Sequence, residues 1–342
     1  MRILCFSDIH LHNWHYGSSI VGGMNSRLMD QASVLNQIAQ YTYENSVDRV
    51  VFGGDLFHTH GKLDSSVLKV AFQGLSRITN PIPRFNPIQP MPAVFLVGNH
   101  DTDRKDKSVH SLHWLASTTS CVVDSSFHDK LSGLSYLSYT ESKDEVVDFF
   151  KHAGPICFLH QGIANVPMGS GFLINEILSA DLVPDHVKYV YTGHYHKHTR
   201  VSDKITIIGS TLQLNWSDEG DSRGFLVIDT DTGTFEHVET KAPRFVTINM
   251  NNHLRPNRNN EEPIMGNFVR VTNSEKSFQE DIRKEFTEAG ARSVEFVPKE
   301  EVKLKMNPIS HDIFHLPTIV SEYEKAHNIT EERSQVGKEL MT

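Results

Sequence analysis

The chain contains 342 residues, 38% of them hydrophobic and 22% charged, a composition typical of a globular protein large enough for one big domain and a smaller one. Its formal net charge of -9 argues only weakly against a nucleic-acid-binding protein, because bound divalent cations would neutralise several acidic residues and local basic patches could still hold DNA. No apolar run approaches the roughly 18 residues of a membrane span, and the N-terminus lacks a signal-peptide pattern, so no membrane segment is expected.

The three cysteines, Cys5, Cys121 and Cys157, all lie in apolar segments with the pattern of strands. Such positions are typical of buried, reduced thiols rather than of disulfides. The sequence therefore predicts a reducing, intracellular compartment.

The first predicted strand, residues 2–7, ends at Asp8-Ile9-His10. In extended backbone, residues two apart point the same way, so Asp8 and His10 could face one ion. A carboxylate with an imidazole suits manganese, iron or zinc better than calcium. Alone, the pattern fits a turn equally well. The polar, glycine-rich loop at 12–23 is expected to be solvated, with contact to a substrate or a second subunit as the alternative.

The segment 50–58 contains the feature around which the chain is organised. An amphipathic helix at 27–45 leads into it, and residues 50–52 are predicted to form a strand that is buried on both faces. Gly53 and Gly54 then allow a tight turn that brings Asp55 to the carboxyl end of the strand, where open α/β sheets bind ligands. A second amphipathic helix follows at 63–78, and then a proline-rich connection at 81–92.

The third predicted strand, residues 93–97, is followed by Gly98-Asn99-His100-Asp101. The Asn99 oxygen could ligate a metal without adding charge, while His100 is free for proton transfer and Asp101 could fix its tautomer. Three basic residues come next, and either a phosphate contact or a solvated loop accounts for them: Arg104, Lys105 and Lys107.

Two later strands also end in histidine motifs. Residues 155–159 lead to His160-Gln161-Gly162, and residues 187–191 lead to Gly193-His194-Tyr195-His196. The alternation predicts that His194 and His196 face the same way. Between these motifs and the earlier ones, we predict a helical turn at 112–116, strands at 121–123 and 134–139, and a helix at 141–152.

Each of the five motifs follows a strand, and we expect those strands to belong to one sheet whose rim collects the side chains. Two ions about 3.5–4 Å apart need a bridging carboxylate and about three further ligands each. The residues fit this requirement, with Asp55 shared between two sets: Asp8, His10 and His196 on one ion, and Asn99, His160 and His194 on the other. Two such cations would acidify a water molecule and clamp phosphate oxygens for in-line attack, and His100 would protonate the leaving oxygen.

These motifs resemble the calcineurin-like metallophosphoesterase superfamily over roughly residues 1–240. The resemblance implies an α/β fold in which a four-layer β-sandwich is flanked by helices, and it agrees with the ligand assignment above. It also implies two Mn²⁺ ions, with Mg²⁺ or another divalent cation as alternatives.

Two features of the sequence indicate a branch of this superfamily. Phosphoprotein phosphatases continue Gly-Asp with Val-Asp-Arg-Gly, whereas this chain has Leu56-Phe57-His58. Gly-Asp-Leu-Phe-His resembles the SbcD / meiotic-recombination-eleven nuclease family, in which the histidine that matches His58 helps to handle the DNA end. The segments 209–213 and 219–225 are similar to that family's sequence after the last metal motif, although a strand, an acidic turn and a strand would have the same pattern.

The C-terminal part of the chain has a different pattern. Strands are predicted at 245–248, 267–272 and 293–297, with a helix at 277–289 and a polar linker at 251–263. We therefore predict a nuclease domain at 1–243, a small α+β cap of β-β-α-β order at 244–300 and a tail at 301–342. The cap resembles the family's DNA-binding cap. The partly helical tail is expected either to dock on the coiled coil of an SbcC-like ATPase or to pack on its own domain.

The resemblance implies a DNA nuclease that acts on duplex ends and hairpins, with 3′-to-5′ exonuclease and single-strand endonuclease activity, as a homodimer in a complex like SbcCD. His100, Asp101 and His58 are its expected catalytic residues. The expected location is the cytoplasm of a bacterium or of a phage-infected host. The main alternative is a phosphodiesterase or phosphatase with a non-DNA substrate. A non-catalytic scaffold is disfavoured, because such proteins lose ligands and every ligand is present here.

Overall fold

The computed structural model describes residues 1–79, 92–102, 109–117, 120–166, 176–250 and 264–297. Several predictions lie outside these residues: nearly all of the 81–92 connection, the basic residues Arg104, Lys105 and Lys107, the 251–263 linker and the 301–342 tail. Residues Met1–Phe296 form one compact unit, and a second unit begins at Val297.

The strands of the first six-stranded sheet are, in spatial order, β14 (Thr234–Glu239), β13 (Gly224–Asp229), β1 (Arg2–Phe6), β4 (Arg49–Phe52), β5 (Ala93–Leu96) and β6 (Cys121–Val123). Those of the second are β11 (Thr199–Arg200), β12 (Ile205–Ile207), β10 (Tyr189–Thr192), β9 (Ile156–Leu159), β8 (Leu134–Leu137) and β7 (Ser126–Asp129). The central strands of each sheet are parallel, and a small hairpin joins β2 (Ile20–Val21) to β3 (Met24–Asn25).

Alternate residues of the central strands face two different cores. Val50 and Phe52 of β4 pack against α1 (Ser26–Glu44) and α2 (Ser65–Thr79), whereas Val51 packs between the two sheets. The outer face of the second sheet is covered by α3 (Lys143–His152). The layers are thus helix, sheet, sheet and helix, which confirms the predicted four-layer α/β sandwich and the strand that is buried on both faces.

Local signals explain the first two helices. The Asn25 side chain caps α1 by accepting hydrogen bonds from the backbone N–H groups of Arg27 and Leu28. Gly74 lets α2 approach α1 closely, because a Cβ atom at this position would meet the Leu35 side chain. The helices therefore pack tightly on the sheet that supports the first three motifs.

The prediction that all five motif-bearing strands lie in one sheet is wrong. Strands β1, β4 and β5 belong to the first sheet, whereas β9 and β10 belong to the second. The motifs still meet, because the carboxyl ends of both parallel sets lie at the same edge of the sandwich. Ser7, after β1, forms a parallel bridge with Ser210, after β12, and so joins the two sheets at that edge.

A third sheet contains β15 (Phe245–Asn249), β16 (Phe268–Thr272) and β17 (Ser293–Val297), accompanied by α4 (Gln279–Glu288). These elements follow the predicted β-β-α-β order and have a small core of their own. The Phe245 N–H donates to Gln213 Oε1 at 2.7 Å, which ties this sheet to the segment after β12. Its description as a separate cap domain remains a prediction.

Two further observations concern cysteines and membranes. Cys5 and Cys157 are buried as predicted, but Cys121 is exposed because it begins the edge strand β6. Among the residues that the structure describes, no helix has the length and apolar character needed to cross a membrane.

Candidate metal centre

Four of the seven predicted ligands have a left-handed backbone: φ is 54° at Asp8, 50° at His10, 59° at Asp55 and 83° at His194. The expectation that Asp8 and His10 share a face of extended chain is therefore wrong. The backbone N–H of Asp8 donates to Gly54 O at 3.0 Å and that of His10 donates to Asp55 O at 3.1 Å. These bonds hold conformations that non-glycine residues rarely adopt, and such conformations are concentrated at functional sites.

Asp8, His10 and His196 form one group, in which the possible ligand atoms all lie within 4.8 Å of one another. His10 Nε2 is 3.1 Å from His196 Nε2 and 4.0 Å from an Asp8 carboxylate oxygen. Burial lowers the pKa of both imidazoles, so neutral rings with lone pairs are favoured. Lone pairs that face each other at this distance suit a shared cation.

Asp55, His160 and His194 form a second such group, and Asn99 joins it. The Asn99 side-chain oxygen is 3.1 Å from His160 Nε2 and 2.9 Å from His194 Nδ1. The structure therefore brings together the three residues predicted for the second ion.

Asp55 lies between the two groups. Its Oδ2 atom is 3.6 Å from His10 Nε2, in the first group, and 3.4 Å from His160 Nε2, in the second. Its Oδ1 atom accepts a hydrogen bond from the backbone N–H of His100 at 2.9 Å. This position fits a carboxylate that bridges two ions.

The charges of the site also fit bound cations. Asp8 and Asp55 are buried, with exposed fractions of 0% and 1%. Burial disfavours protonation of His160, yet the Asp55 and Asp8 carboxylates outweigh it and raise the pKa of His160 to about 9. Buried carboxylates that favour a positive charge on a neighbouring imidazole are stabilised by a metal ion in the same place.

The surrounding backbone fixes one ligand in the orientation a metal needs. His160 Nδ1 is 2.5 Å from Gly53 O, so the Nδ1–H donates to this carbonyl and Nε2 is free for a metal. Gly54 and Gly98 allow the close approach, because a Cβ atom at either position would collide with His160 or with the Asp55 carboxylate.

His58 and His100 lie just outside the two ligand groups. The His10 ring is 4.7 Å from the His100 ring and 5.5 Å from the His58 ring, measured between centroids. Burial and the neighbouring His100 lower the pKa of His58 to about 4. His100 Nδ1 is 2.8 Å from the backbone oxygen of His58, so this carbonyl sets the His100 tautomer and leaves Nε2 free.

The prediction that Asp101 fixes the His100 tautomer is wrong. Adjacent side chains point different ways here, and the buried Asp101 carboxylate turns toward the loop that carries Asp55. It accepts hydrogen bonds from the backbone N–H groups of Asp55 at 2.9 Å, Leu56 at 3.0 Å and Gly98 at 3.0 Å. Asp101 thus organises the two loops that present Asp55 and Asn99.

Residues 15, 16 and 19–23 of the loop after His10 are exposed, as expected for a solvated loop, but Trp14 packs against the site. The Trp14 ring lies 4.4 Å from the His58 ring, and the buried Arg27 guanidinium lies over the Trp14 ring at 5.3 Å. The same guanidinium contacts the rings of Phe245 and Phe268 in the third sheet, at 5.4 and 5.0 Å. Sequence reasoning missed this chain of contacts, although a tryptophan among polar residues was a signal for it.

A second missed residue is Glu176. Its Oε1 atom is 3.8 Å from His194 Nε2 and accepts a hydrogen bond from the Tyr195 hydroxyl at 3.3 Å. Gly162 makes room for it, since a Cβ atom there would collide with the Glu176 carboxylate. A carboxylate on the far nitrogen of a ligand histidine orients that ligand. The only sequence signal was the glycine of the His160-Gln161-Gly162 motif.

Comparison with known proteins agrees with this geometry. A protein named as a phosphoesterase, 244L of Invertebrate iridescent virus 6, is 24% identical over 225 residues, which cover 60% of this chain and 74% of the viral protein. The SbcD component of the nuclease SbcCD from Staphylococcus epidermidis is 21% identical over 306 residues, 79% of this chain and 77% of that protein. The corresponding component from Bacillus subtilis is 21% identical over 282 residues, 68% of this chain and 67% of that protein.

Among solved structures, the calcineurin-like phosphoesterase YfkN from Bacillus subtilis matches with a TM-score of 0.35 at 12% identity, covering 70% of this chain and 88% of that one. The model of the family described as calcineurin-like phosphoesterase matches residues 1–198, which include all seven candidate ligands. The chain belongs to the calcineurin-like phosphoesterase family.

Proposed function

We propose that the chain is a two-metal DNA nuclease that hydrolyses phosphodiester bonds at duplex ends and hairpins. The observation that carries this proposal is the pair of imidazoles, His58 and His100, beside the ligand His10. Neither histidine is needed to complete the two ligand groups. Both are close enough to that set to reach the same phosphate group, where imidazoles serve in proton transfer and hydrogen bonding.

The proposed ligands are Asp8, His10 and His196 for one ion, Asn99, His160 and His194 for the other, and Asp55 for both. When bound, two divalent cations acidify a water molecule and neutralise the charge that develops on the phosphate. Mn²⁺ is the proposed metal, because the donor set mixes imidazole, carboxylate and amide oxygen.

The protein's own groups perform the remaining steps. His100 donates its Nδ1–H to the His58 carbonyl, which fixes the ring. When Nε2 is also protonated, the imidazolium gives the Nε2 proton to the leaving oxygen and returns to the neutral Nδ1–H tautomer. His58 contributes a second imidazole that contacts the DNA end. Asp101 acts only through the loops that it holds, and it has no direct part in this proton transfer.

The length of the match to a nuclease component supports the proposed nuclease activity. The match to SbcD of Staphylococcus epidermidis covers 79% of the chain and so continues beyond residues 1–198 of the family match. We therefore propose a nuclease domain at 1–243, a DNA-binding cap at 244–300 and a tail at 301–342 that docks on an SbcC-like coiled-coil ATPase. We also propose 3′-to-5′ exonuclease and single-strand endonuclease activity in a homodimer that acts in DNA repair and recombination.

The alternative function is hydrolysis of a non-DNA phosphoester by the same centre. The match to the iridescent virus protein supports it, since that protein is named only as a phosphoesterase.

The test is cleavage of linear duplex and hairpin DNA, labelled at the 3′ or the 5′ end, in Mn²⁺, Mg²⁺ or EDTA. We expect shortening in Mn²⁺ by the wild type, loss of turnover in His100→Ala and weaker end processing in His58→Ala. His152→Ala, an exposed histidine on α3, is the matched control and should retain activity. Hydrolysis of bis(p-nitrophenyl) phosphate without any DNA cleavage would favour the alternative instead.

A further inference from the structure

A cavity of about 130 Å³ lies directly beside the proposed metal centre. His194 and His196 are among its lining residues, and Val166 and Ile207 supply apolar surface. Its volume is many times the roughly 10–15 Å³ that admits one water molecule, so an organic ring can enter.

The Lys, Arg and Asp side chains that line this cavity are paired with one another. Arg223 Nη2 is 2.9 Å from Asp218 Oδ1 and 3.1 Å from Asp221 Oδ2, and Lys197 Nζ is 2.9 Å from Asp221 Oδ1. Arg223 and Asp218 side chains are only 5% exposed, and Asp218 also accepts a hydrogen bond from the backbone N–H of Leu214 at 2.8 Å. The charges of these two cations and two anions therefore cancel, and the ion pairs and the hydrogen bond hold this wall of the cavity in place.

A neutral wall of this kind does not favour a second phosphate, which is recognised by unpaired cations. It suits an uncharged group with apolar faces and hydrogen-bonding edges, which is the chemistry of a nucleoside. Because the cavity shares two histidines with the metal centre, a group bound in it would be attached to the phosphate that is hydrolysed.

We propose that this cavity binds the nucleoside next to the scissile phosphate and makes the enzyme prefer nucleotide esters. The proposal rests on the function proposed above and identifies the substrate class of the same site. Binding energy from this group would position the phosphorus for attack.

The test compares p-nitrophenyl esters of thymidine 5′-phosphate and thymidine 3′-phosphate with methyl p-nitrophenyl phosphate. All three release the same leaving group, but a methyl group cannot fill the cavity. Ser217→Trp fills the cavity, because Ser217 lies on its rim within the 3₁₀ turn Trp216–Asp218. The matched control is Ser277→Trp, at an exposed serine in the 3₁₀ turn Lys276–Phe278.

We expect the wild type to prefer one thymidine ester over the methyl ester, with the preference measured as the ratio of their kcat/KM values. In Ser217→Trp this ratio should be at least tenfold lower. Ser277→Trp should keep the wild-type ratio. A preference that is absent from the wild type, or unchanged in Ser217→Trp, would overturn the proposal. Persistence of the preference in an enzyme that does not cleave DNA would refute the nuclease but leave the cavity's role intact.

A binding measurement covers the case in which neither ester is hydrolysed. Calorimetric titration with thymidine 5′-monophosphate and thymidine 3′-monophosphate in Mn²⁺ should give at least tenfold weaker binding of one nucleotide to Ser217→Trp than to the wild type. Equal affinities, or no binding to the wild type, would rule the cavity out as a nucleoside site.

Discussion

The Asp101→Asn substitution tests the role that the structure gives this carboxylate. Oδ2 accepts hydrogen bonds from the backbone N–H groups of Asp55 and Gly98, and Oδ1 accepts those of Leu56 at 3.0 Å and Phe57 at 3.4 Å. Asparagine keeps one oxygen and presents an amide N–H₂ to the other pair of donors. Two buried N–H groups would then lack an acceptor.

Each unsatisfied buried donor costs about 1–3 kcal/mol, so the free energy of unfolding should fall by about 2–6 kcal/mol. This is a large part of the roughly 5–15 kcal/mol that stabilises a typical domain. Urea unfolding of the EDTA-treated protein, followed by circular dichroism, measures the change without a contribution from bound metal. The control is Asp124→Asn, whose carboxylate is 69% exposed and lies 2.9 Å from His110 Nε2, and it should change stability by less than about 1 kcal/mol.

The opposite pattern would refute this account. If Asp101→Asn is as stable as wild type but changes the NMR signals of the His100 ring, the carboxylate acts on that imidazole after all. Loss of stability with an unchanged ring tautomer is the result we expect.

Three further predictions concern other contacts of the site and fold. Glu176→Ala should weaken Mn²⁺ binding about 10–100-fold in a calorimetric titration, with a smaller effect for Glu176→Gln. Equal Mn²⁺ affinities of Glu176→Ala and the wild type would show that Glu176 does not orient His194. Trp14→Ala should slow DNA end cleavage by up to about 100-fold, because the His58 ring would lose the aromatic side chain beside it, whereas Trp14→Phe should retain most activity. Equal cleavage rates for the two variants would contradict a role of the Trp14 ring in positioning His58. Burial and the stacked His198 ring lower the pKa of His237 to about 4, below its unfolded value of about 6.5, so stability should fall as the pH drops between these values. His237→Gln should reduce the loss of stability between pH 7 and pH 5, measured by urea unfolding. An equal loss in the variant and the wild type would contradict this role of His237.

The sequence was sufficient to predict the strands that carry the motifs and the identity of the candidate ligands. Short apolar runs such as the one before Asp55 end at glycines and polar residues, and that signal is local. Strand pairing is not local. Nothing in the run before His160 indicates that it belongs to a second sheet, because a strand buried on both faces has the same pattern in either sheet.

The side-chain directions could be predicted only in part. Asp8 and His10 were grouped correctly on one side of the site, but for the wrong reason, because tertiary backbone bonds to the Asp55 loop hold both residues in left-handed conformations. Proximity in sequence also misled the interpretation of Asp101, because two of its partners, Leu56 and Asp55, are 45 and 46 positions away. Glu176 carries no local signal, because its contact with His194 depends on how two loops meet in space.

The central claim is that this edge of the sandwich holds two metal ions bridged by Asp55, and metal stoichiometry tests it most directly. Equilibrium dialysis against Mn²⁺ followed by elemental analysis should give two ions per chain for the wild type. His196→Ala should retain one ion, and Asp55→Ala should retain none at the same free concentration. A single ion in the wild type, or two ions in Asp55→Ala, would contradict the account.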